Sequence, residues 1–588
     1  MKAFRAFWRK KTASERLEGS EYARISPWRR FGRIAGLLLA GGLTAAAFPP
    51  LNQELLLFLG VVPLILWARN RNWWRGALAG WLWGMGFGFW SFLWLREICW
   101  VIPWLMAPAL GAYYAIFGWA VSVWSRWFLL PEAVRRRGFS AAERFRDFPL
   151  WRQLVWCAGL GACWVLVEYL RSMVLPWNYL GIGFHRNTVM IQLARYTGVY
   201  GLSFLAVFGN AALALAILTV ARKDPETGRI RYRRPWPLLA ALGLLALNLV
   251  LGVTEFRRST AEYARSSLVL NVTLVQGNLS QRRFAGEPAA AEALDTYVRL
   301  TRDRLGDRSD LVVWPGTAVS YPLRGNAAVS ARYRRAVRTL AEAFGAPLLL
   351  GTLEYDASTA PPGTLNSAVL VDGRDMLRDG YLGQYDKVHP VPFGEFVPLR
   401  RYLPQWIIRL IDMNRDLTPG RSLSPLAINN QVSLGVNICF EDVFAYIARE
   451  EYLRGANLLT VITNDAWYPT SSEPEQHLAH ALFRAVETNL PMVRCGNDSA
   501  TCVIAPTGRI VWSLSEAKRF GDGKAFRRGA GSATVAIAVP RREQRKMTFY
   551  TRCGDWFARG CVGMALLLSL ACAGRLFLWR RECGLDRG

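Results

Sequence analysis

The stretch PLLAALGLLALNLVLGVTEFRRSTAEYARSSLVLNVTLVQGN, residues 237–278, holds the change of character on which the fold turns. Up to Val253 it is apolar and about long enough to cross a bilayer as a helix. Charged residues then interrupt it. From Ser267 the run SLVLNVTLVQ is β-branched and apolar, bounded by Gly277 and Asn278, which reads as a buried strand. A membrane-spanning part therefore precedes this point and an α/β part follows it.

Working back toward the N-terminus, further apolar runs of spanning length fall at 34–48, 52–67, 76–95, 104–125, 154–170 and 199–220, beside 236–253; one more lies at 557–574. The expected fold class is a polytopic α-helical bundle of about eight spans carrying one α/β domain. The first run is a retained helix rather than a cleaved signal, because its basic preamble is long and further spans follow closely. A net charge of +28 on a soluble chain would suggest nucleic acid. Here Lys and Arg cluster beside the apolar runs, the pattern of a membrane protein, so no nucleic-acid partner is expected. Arg-rich loops alternate with the poor loops PPLNQE and REICWVIP, which puts both termini on the cytoplasmic side and the long segment outside. The expected organisation is a basic tail (1–33), a seven-span bundle (34–253), an external domain (254–556), an eighth span (557–574) and a cytoplasmic tail (575–588).

Within the external segment, DLVVWPG (310–316), APLLLGTLEY (346–355), SLGVNICF (433–440) and NLLTVITND (457–465) read as strands. VSARYRRAVRTLAEAF (329–344), EDVFAYIAREEYLR (441–454) and EQHLAHALFRAVETN (475–489) have helical spacing. Strands and helices alternating at this density indicate an α/β layered domain of about 270 residues. Cys439 falls where strand turns into helix, and a thiol at a helix N-terminus is favoured as thiolate; a buried core cysteine is the alternative. Lys387, taken alone, reads as a solvated loop lysine. There is no CxxC and no metal-like Cys/His grouping, and Cys495 and Cys502 are open to pairing in an oxidising compartment.

Taken together, these segments resemble the nitrilase superfamily and, more closely, the apolipoprotein N-acyltransferase family. YDKVHPVPFGEFVP (385–398) is similar to that family's lysine motif and NICFED (437–442) to its cysteine motif. NDAWYPTSSEPEQH, FRAVETNLPMVRCGN, and in the membrane part FPPLNQE, VPLI, RSMVLPWNYLGIGF and GVYGLSFLAVFGNAALA extend the resemblance over nearly the whole chain. It implies a nitrilase-like αββα sandwich on the periplasmic side of a bacterial inner membrane, and a two-step acyl transfer needing no metal or cofactor. Cys439 would take an acyl chain from a phospholipid as a thioester, and the N-terminal amine of a diacylated apolipoprotein would accept it. Lys387 and the backbone N–H of Phe440 would stabilise the oxyanion, with Glu395 and Glu441 as supporting carboxylates. One position departs: the family's strand reads WPE, its Glu the general base, and this chain has Trp314-Pro315-Gly316. That leaves three explanations: Glu395 or another carboxylate such as Glu354 replaces the base, the protein is slow, or it is a lipid- or lipoprotein-binding homologue without turnover; a membrane-anchored amidase is a further alternative function. Residues 399–420 are expected to form an interfacial arm, with Trp406, Ile407 and Ile411 giving acyl chains access. Arg171, Trp177 and His185 are expected at the membrane surface, near headgroups.

Overall fold

The computed structural model describes residues 27–69, 71–127, 149–223, 230–232, 234–280, 286–356, 362–372, 381–398, 400–405, 416–468, 470–498, 500–514 and 529–582. Trp406, Ile407 and Ile411 lie outside them, and with them half of the expected interfacial arm.

The bundle is built from α1 (Pro27–Ala45), α2 (Trp73–Ser91), α3 (Ile102–Trp127), α4 (Leu150–Ser172), α5 (Val199–Thr219) and α6 (Trp236–Ala264). Five helices among the described residues are long and apolar enough to cross a membrane: Ile102–Arg126, Leu150–Ser172, Val199–Thr219, Trp236–Ala264 and Trp556–Leu578. The run at 52–67 does not form one helix. It splits into a 3-10 turn, Glu54–Phe58, and a short helix, Val62–Ala68. Asn210 of α5 binds the break: its side-chain oxygen accepts from the N–H of Val61 and Val62 at 3.0 and 3.1 Å, and its amide donates to Leu57 O at 2.7 Å. Broken backbone at this depth needs such partners, since no water is there to supply them. Glycines bring α2 and α3 together: a Cβ on Gly80 would stand 2.1 Å from Tyr114 O, and one on Gly118 2.1 Å from Gly76 O.

The helix α6 outlasts its apolar run and delivers the chain to β1 (Leu268–Gln276). The domain then runs α7 (Glu287–Arg302), β2 (Leu311–Val313), α8 (Ala328–Phe344), β3 (Leu348–Asp356), β4 (Gly363–Val371), β5 (Tyr381–Asp386), β6 (Leu426–Ala427), β7 (Ser433–Ile438), α9 (Ala445–Leu453), β8 (Leu458–Thr463), α10 (Glu473–Thr488), β9 (Met492–Gly496), β10 (Cys502–Ile504), β11 (Ile510–Ser513) and β12 (Gly531–Val539). Helix α11 (Trp556–Glu582) returns to the bundle, packing against α4. Two six-stranded mixed sheets form, ordered β12-β1-β2-β3-β4-β5 and β11-β10-β9-β8-β7-β6. Each has three parallel strands, β1 to β3 in one and β7 to β9 in the other, with antiparallel edges. Val272, Leu274, Val313 and Leu370 of the first sheet meet Leu434, Val436, Ile462 and Val493 of the second in one core between the sheets. The outer faces are covered by α7 and α8 on one side and by α9 and α10 on the other, which makes the layers α, β, β, α.

Cys495 packs into the core between the sheets, while Cys502 packs on the outer face beneath α10. Both are free thiols, because adjacent strands point them to opposite faces; the pairing open in the sequence is not made. Helix α10 is buried along its whole length. Leu478, Ala481 and Leu482 cover the sheet, and Ala479, Phe483 and Val486 join the core of the bundle.

Candidate active site

Cys439 follows the last residue of β7 and opens a five-residue 3-10 turn, Cys439–Val443; the α-helix starts only at Ala445. The expected α-helix N-terminus at the thiol is therefore replaced by this tighter turn. The backbone φ of Cys439 is +53°, a left-handed value that a residue with a Cβ adopts at a cost of about 1–3 kcal/mol. Cys439 is half-buried, between the buried Ile438 and the half-buried Phe440. The N–H of Phe440 lies in the first turn, where N–H groups have no acceptor within the turn.

Lys387 follows β5 and is buried, 2% exposed, rather than solvated as its loop suggests. Its backbone is fixed on both sides, the N–H donating to Asn366 O at 2.8 Å and the O accepting from Gly420 N at 2.7 Å. Its ammonium makes an ion pair with Glu395 Oε2 at 2.8 Å. Glu395 is held in turn by Asn366 Nδ2 and Val391 N, each donating at 2.8 Å. Burial opposes the charge on Lys387, but Glu395 and the Cys439 sulfur outweigh it and hold the ammonium above its ordinary range. Glu441 ties the two loops together: it accepts from Ile438 N at 2.9 Å, Val388 N at 2.6 Å, His389 N at 3.2 Å and Tyr385 OH at 2.9 Å. Burial pushes its carboxyl up to about 7, against those donors and Lys387.

On the other side of the sulfur lies a cluster to which the sequence reading gave no roles. His477 Nε2 is 2.8 Å from Asp442 Oδ1 and 3.1 Å from the Cys439 carbonyl oxygen, and its Nδ1 is 3.1 Å from Asp465 Oδ1. Arg494 donates to Asp442 at 2.7 Å and to Asp465 at 3.2 Å. Burial opposes charge on His477, yet Asp442 and Asp465 hold the imidazolium well above its usual range. Asp465 is held well below the carboxylate range: burial works against this, but His477 and Arg494 prevail. Burial pushes the Cys439 thiol up, while Lys387 and His477 pull it down from either side. The sulfur, an Asp465 oxygen and a His477 nitrogen lie within 4.8 Å of one another, close enough to raise the question of a metal ion. Arg494 and Lys387 already supply positive charge there, so the donor set does not fit one.

Gly316 follows β2 and abuts the end of β8: a Cβ there would stand 3.1 Å from Ile462 O and 3.4 Å from Thr463 Cα. Glu354, weighed as a substitute base, is buried and accepts from Leu323 N at 2.7 Å; its partners are Leu323 and Arg324, away from the sulfur.

The bundle reaches this site. Trp177 is not at a membrane surface but buried; its ring stacks on Phe440 at 5.9 Å and contacts Trp94 at 5.4 Å, and its Nε1 donates to Gln476 at 2.9 Å. Arg171 and His185 are buried too, Arg171 donating to the carbonyls of Trp177 and Asn178. Trp177 thus joins the bundle to the domain, while Arg171 and His185 hold the segment that carries it, His185 through Ile182 O at 3.1 Å. The signal for the missed cluster was present in the sequence: an Arg inside the apolar strand MVRCG must find acids to neutralise it when buried.

A mixed α/β sandwich with a cysteine on a strained turn, beside a buried lysine–glutamate pair, defines a carbon–nitrogen hydrolase domain, here carried on a helical bundle. Comparison with known proteins agrees. Residues 271–520 match the carbon–nitrogen hydrolase family, and residues 40–212 match the apolipoprotein N-acyltransferase N-terminal domain. Apolipoprotein N-acyltransferase of Allorhizobium ampelinum is 30% identical over 589 residues, covering 95% of this chain and 98% of the relative. That of Geobacter metallireducens is 29% identical over 546 residues, covering 91% and 94%. Among solved structures, yeast Nit3, a member of the nitrilase superfamily, is 17% identical over 46% of this chain and 91% of its own, with a TM-score of 0.33, too low to carry an argument. The chain belongs to the apolipoprotein N-acyltransferase family, acyltransferases of the nitrilase superfamily with transmembrane helices.

Proposed function

We propose that this protein moves an acyl chain from a phospholipid, through a thioester on Cys439, to the N-terminal amine of a diacylglyceryl-cysteine on an apolipoprotein. One observation carries the reading: Cys439, in electrostatic contact with Lys387 of the buried Lys387–Glu395 ion pair, is followed directly by Phe440, whose ring opens an aromatic series through Trp177 to Trp94 in the bundle. A soluble amide substrate needs no such apolar continuity with a membrane, and this disfavours the amidase reading.

In the first step the Cys439 sulfur attacks the ester carbonyl. The Lys387 ammonium and the Phe440 N–H stabilise the oxyanion, a donor of this kind contributing about 3–4 kcal/mol. Collapse releases the lysophospholipid and leaves the acyl-enzyme. In the second step the amine attacks the thioester, a second oxyanion forms at the same donors, and the thiol returns. Glu395 orients Lys387, and Glu441 fixes the lysine loop against the cysteine turn. The binding-homologue reading rests on Gly316, which removes a carboxylate worth about 10²–10⁴ in rate where a general base is needed.

The proposed setting is a bacterial inner membrane with residues 254–556 on the periplasmic side, both termini in the cytoplasm, about eight crossings, and no nucleic acid, metal or cofactor. The test of function is reconstitution of the purified protein with phospholipid vesicles and a diacylated lipopeptide with a free N-terminal amine. The lipopeptide gains one acyl mass on its amine; lipid binding without that gain favours the binding homologue. Phosphatase fusions after about residue 300 are active and those near residue 225 inactive; the reverse pattern overturns the orientation.

A further inference from the structure

Gly316 leaves the acyl transfer without the carboxylate that would take a proton from the thiol and give it to the leaving oxygen. The other carboxylates near the sulfur are committed. Glu395 is paired with Lys387 and accepts two further hydrogen bonds. Glu441 accepts from four donors. Asp465 takes the Thr463 hydroxyl at 2.6 Å as well as His477 and Arg494, and those two cations hold it charged.

Glu473, the first residue of α10, is the exception. It is 4% exposed, its Oε1 lies 3.7 Å from His477 Nδ1, and its Oε2 has no hydrogen-bond partner among the described residues. Burial first, and then the charge of Asp465, push its carboxyl well above the usual range, against His477 and Arg494, which favours its protonated form. Tyr468 lies within electrostatic reach of Glu473, Cys439 and Asp465 together.

We propose that Glu473, acting through His477, carries the proton that the family's carboxylate at position 316 carries elsewhere. This rests on the thioester reading above. In the first step the S–C bond forms and the ester C–O bond breaks. The lysophospholipid oxygen takes the proton of Glu473, and the thiol's proton replaces it, so the carboxyl ends protonated as it began. In the second step the N–C bond forms and the C–S bond breaks. The amine's proton enters the same relay and the thiol regains one.

The experiment compares two acyl donors in single-turnover acylation of the full-length protein, read by intact mass. Phospholipid releases an alkoxide that must be protonated; a p-nitrophenyl ester releases a phenolate that need not be. Glu473→Gln slows acylation by phospholipid by about 10²–10⁴-fold and slows acylation by the activated ester less, because there only the thiol's proton has to be moved and no leaving oxygen needs one. Adding Gly316→Glu to Glu473→Gln restores the phospholipid rate, which also separates lost proton transfer from lost folding. Equal losses on both donors with no restoration, or an undiminished phospholipid rate in Glu473→Gln, overturn the proposal. No acyl mass on the natural protein from either donor defeats the thioester reading instead.

Discussion

The two sides of Cys439 differ in how they are built. On one side Lys387, Glu395 and Glu441 form a compact set whose charges are matched within hydrogen-bond distance and whose loops are locked by backbone bonds. On the other, Gly316 faces the end of β8, and Asp442, Asp465, Glu473, His477 and Arg494 form a larger buried network. The first side has the chemistry to stabilise an oxyanion. The second holds charge and protons around the sulfur. The difference teaches that two clusters built in different ways, one a compact ion pair and one an extended charge network, can flank a single sulfur.

Breaking the network is expected to have the largest effect, and on stability. Arg494 is fully buried between Asp442 and Asp465, so Arg494→Met leaves the His477 cation to face two buried carboxylates. Losing one partner of a buried pair costs about 3–5 kcal/mol, to be seen as a lowered melting temperature in detergent. A variant as stable as the natural protein contradicts the charge accounting on that side.

On the opposite side, Lys387→Met removes an oxyanion donor and is expected to slow single-turnover acylation by about 10²–10³-fold. Because Glu395 keeps its bonds to Asn366 and Val391, the fold is expected to hold. A rate loss that melting explains in full places Lys387 among structural residues.

Glu441 gives a pH signature. Its folded-state value of about 7 lies above the ordinary 4.5, so the fold retains a proton that the unfolded chain has lost. Its contribution to stability is full below pH 4.5 and falls as pH rises through about 7, above which it stays lost. Melting curves across that window should decline more steeply in the natural protein than in Glu441→Gln. Parallel curves contradict the assignment.

The smallest effect is expected from Gly316→Glu alone. With Glu473 already carrying the proton, a second carboxylate has little to add, and its Cβ must displace Ile462 O by a few tenths of an ångström. A large acceleration of acylation shows instead that the natural site lacks any working relay.

Much of the first side was legible in sequence. NICFED and YDKVHPVPFGEFVP put Cys439, Lys387, Glu395 and Glu441 in short motifs that resemble the family's, though Lys387 taken alone read as a solvated loop lysine; alternating strands and helices announced the layered domain. The second side was not. Its members come from just beyond β7 and β8, from the middle of β9 and from α10, and only the fold brings them together. Helix α10 shows a further limit: one apolar face was readable, but its polar face is buried against the bundle, a contact invisible to periodicity. The run at 52–67 shows a related limit. Its apolarity suggests one continuous helix, yet Asn210, far away in sequence, stabilises a break in its backbone.

The central claim, that Cys439 carries the acyl group, is tested most directly by intact-mass measurement of the purified protein incubated with phospholipid and no acceptor. The account predicts one added acyl mass, released by hydroxylamine, absent in Cys439→Ala and retained in Cys495→Ala and Cys502→Ala, whose thiols are buried in the two cores. An acyl adduct that persists in Cys439→Ala contradicts it.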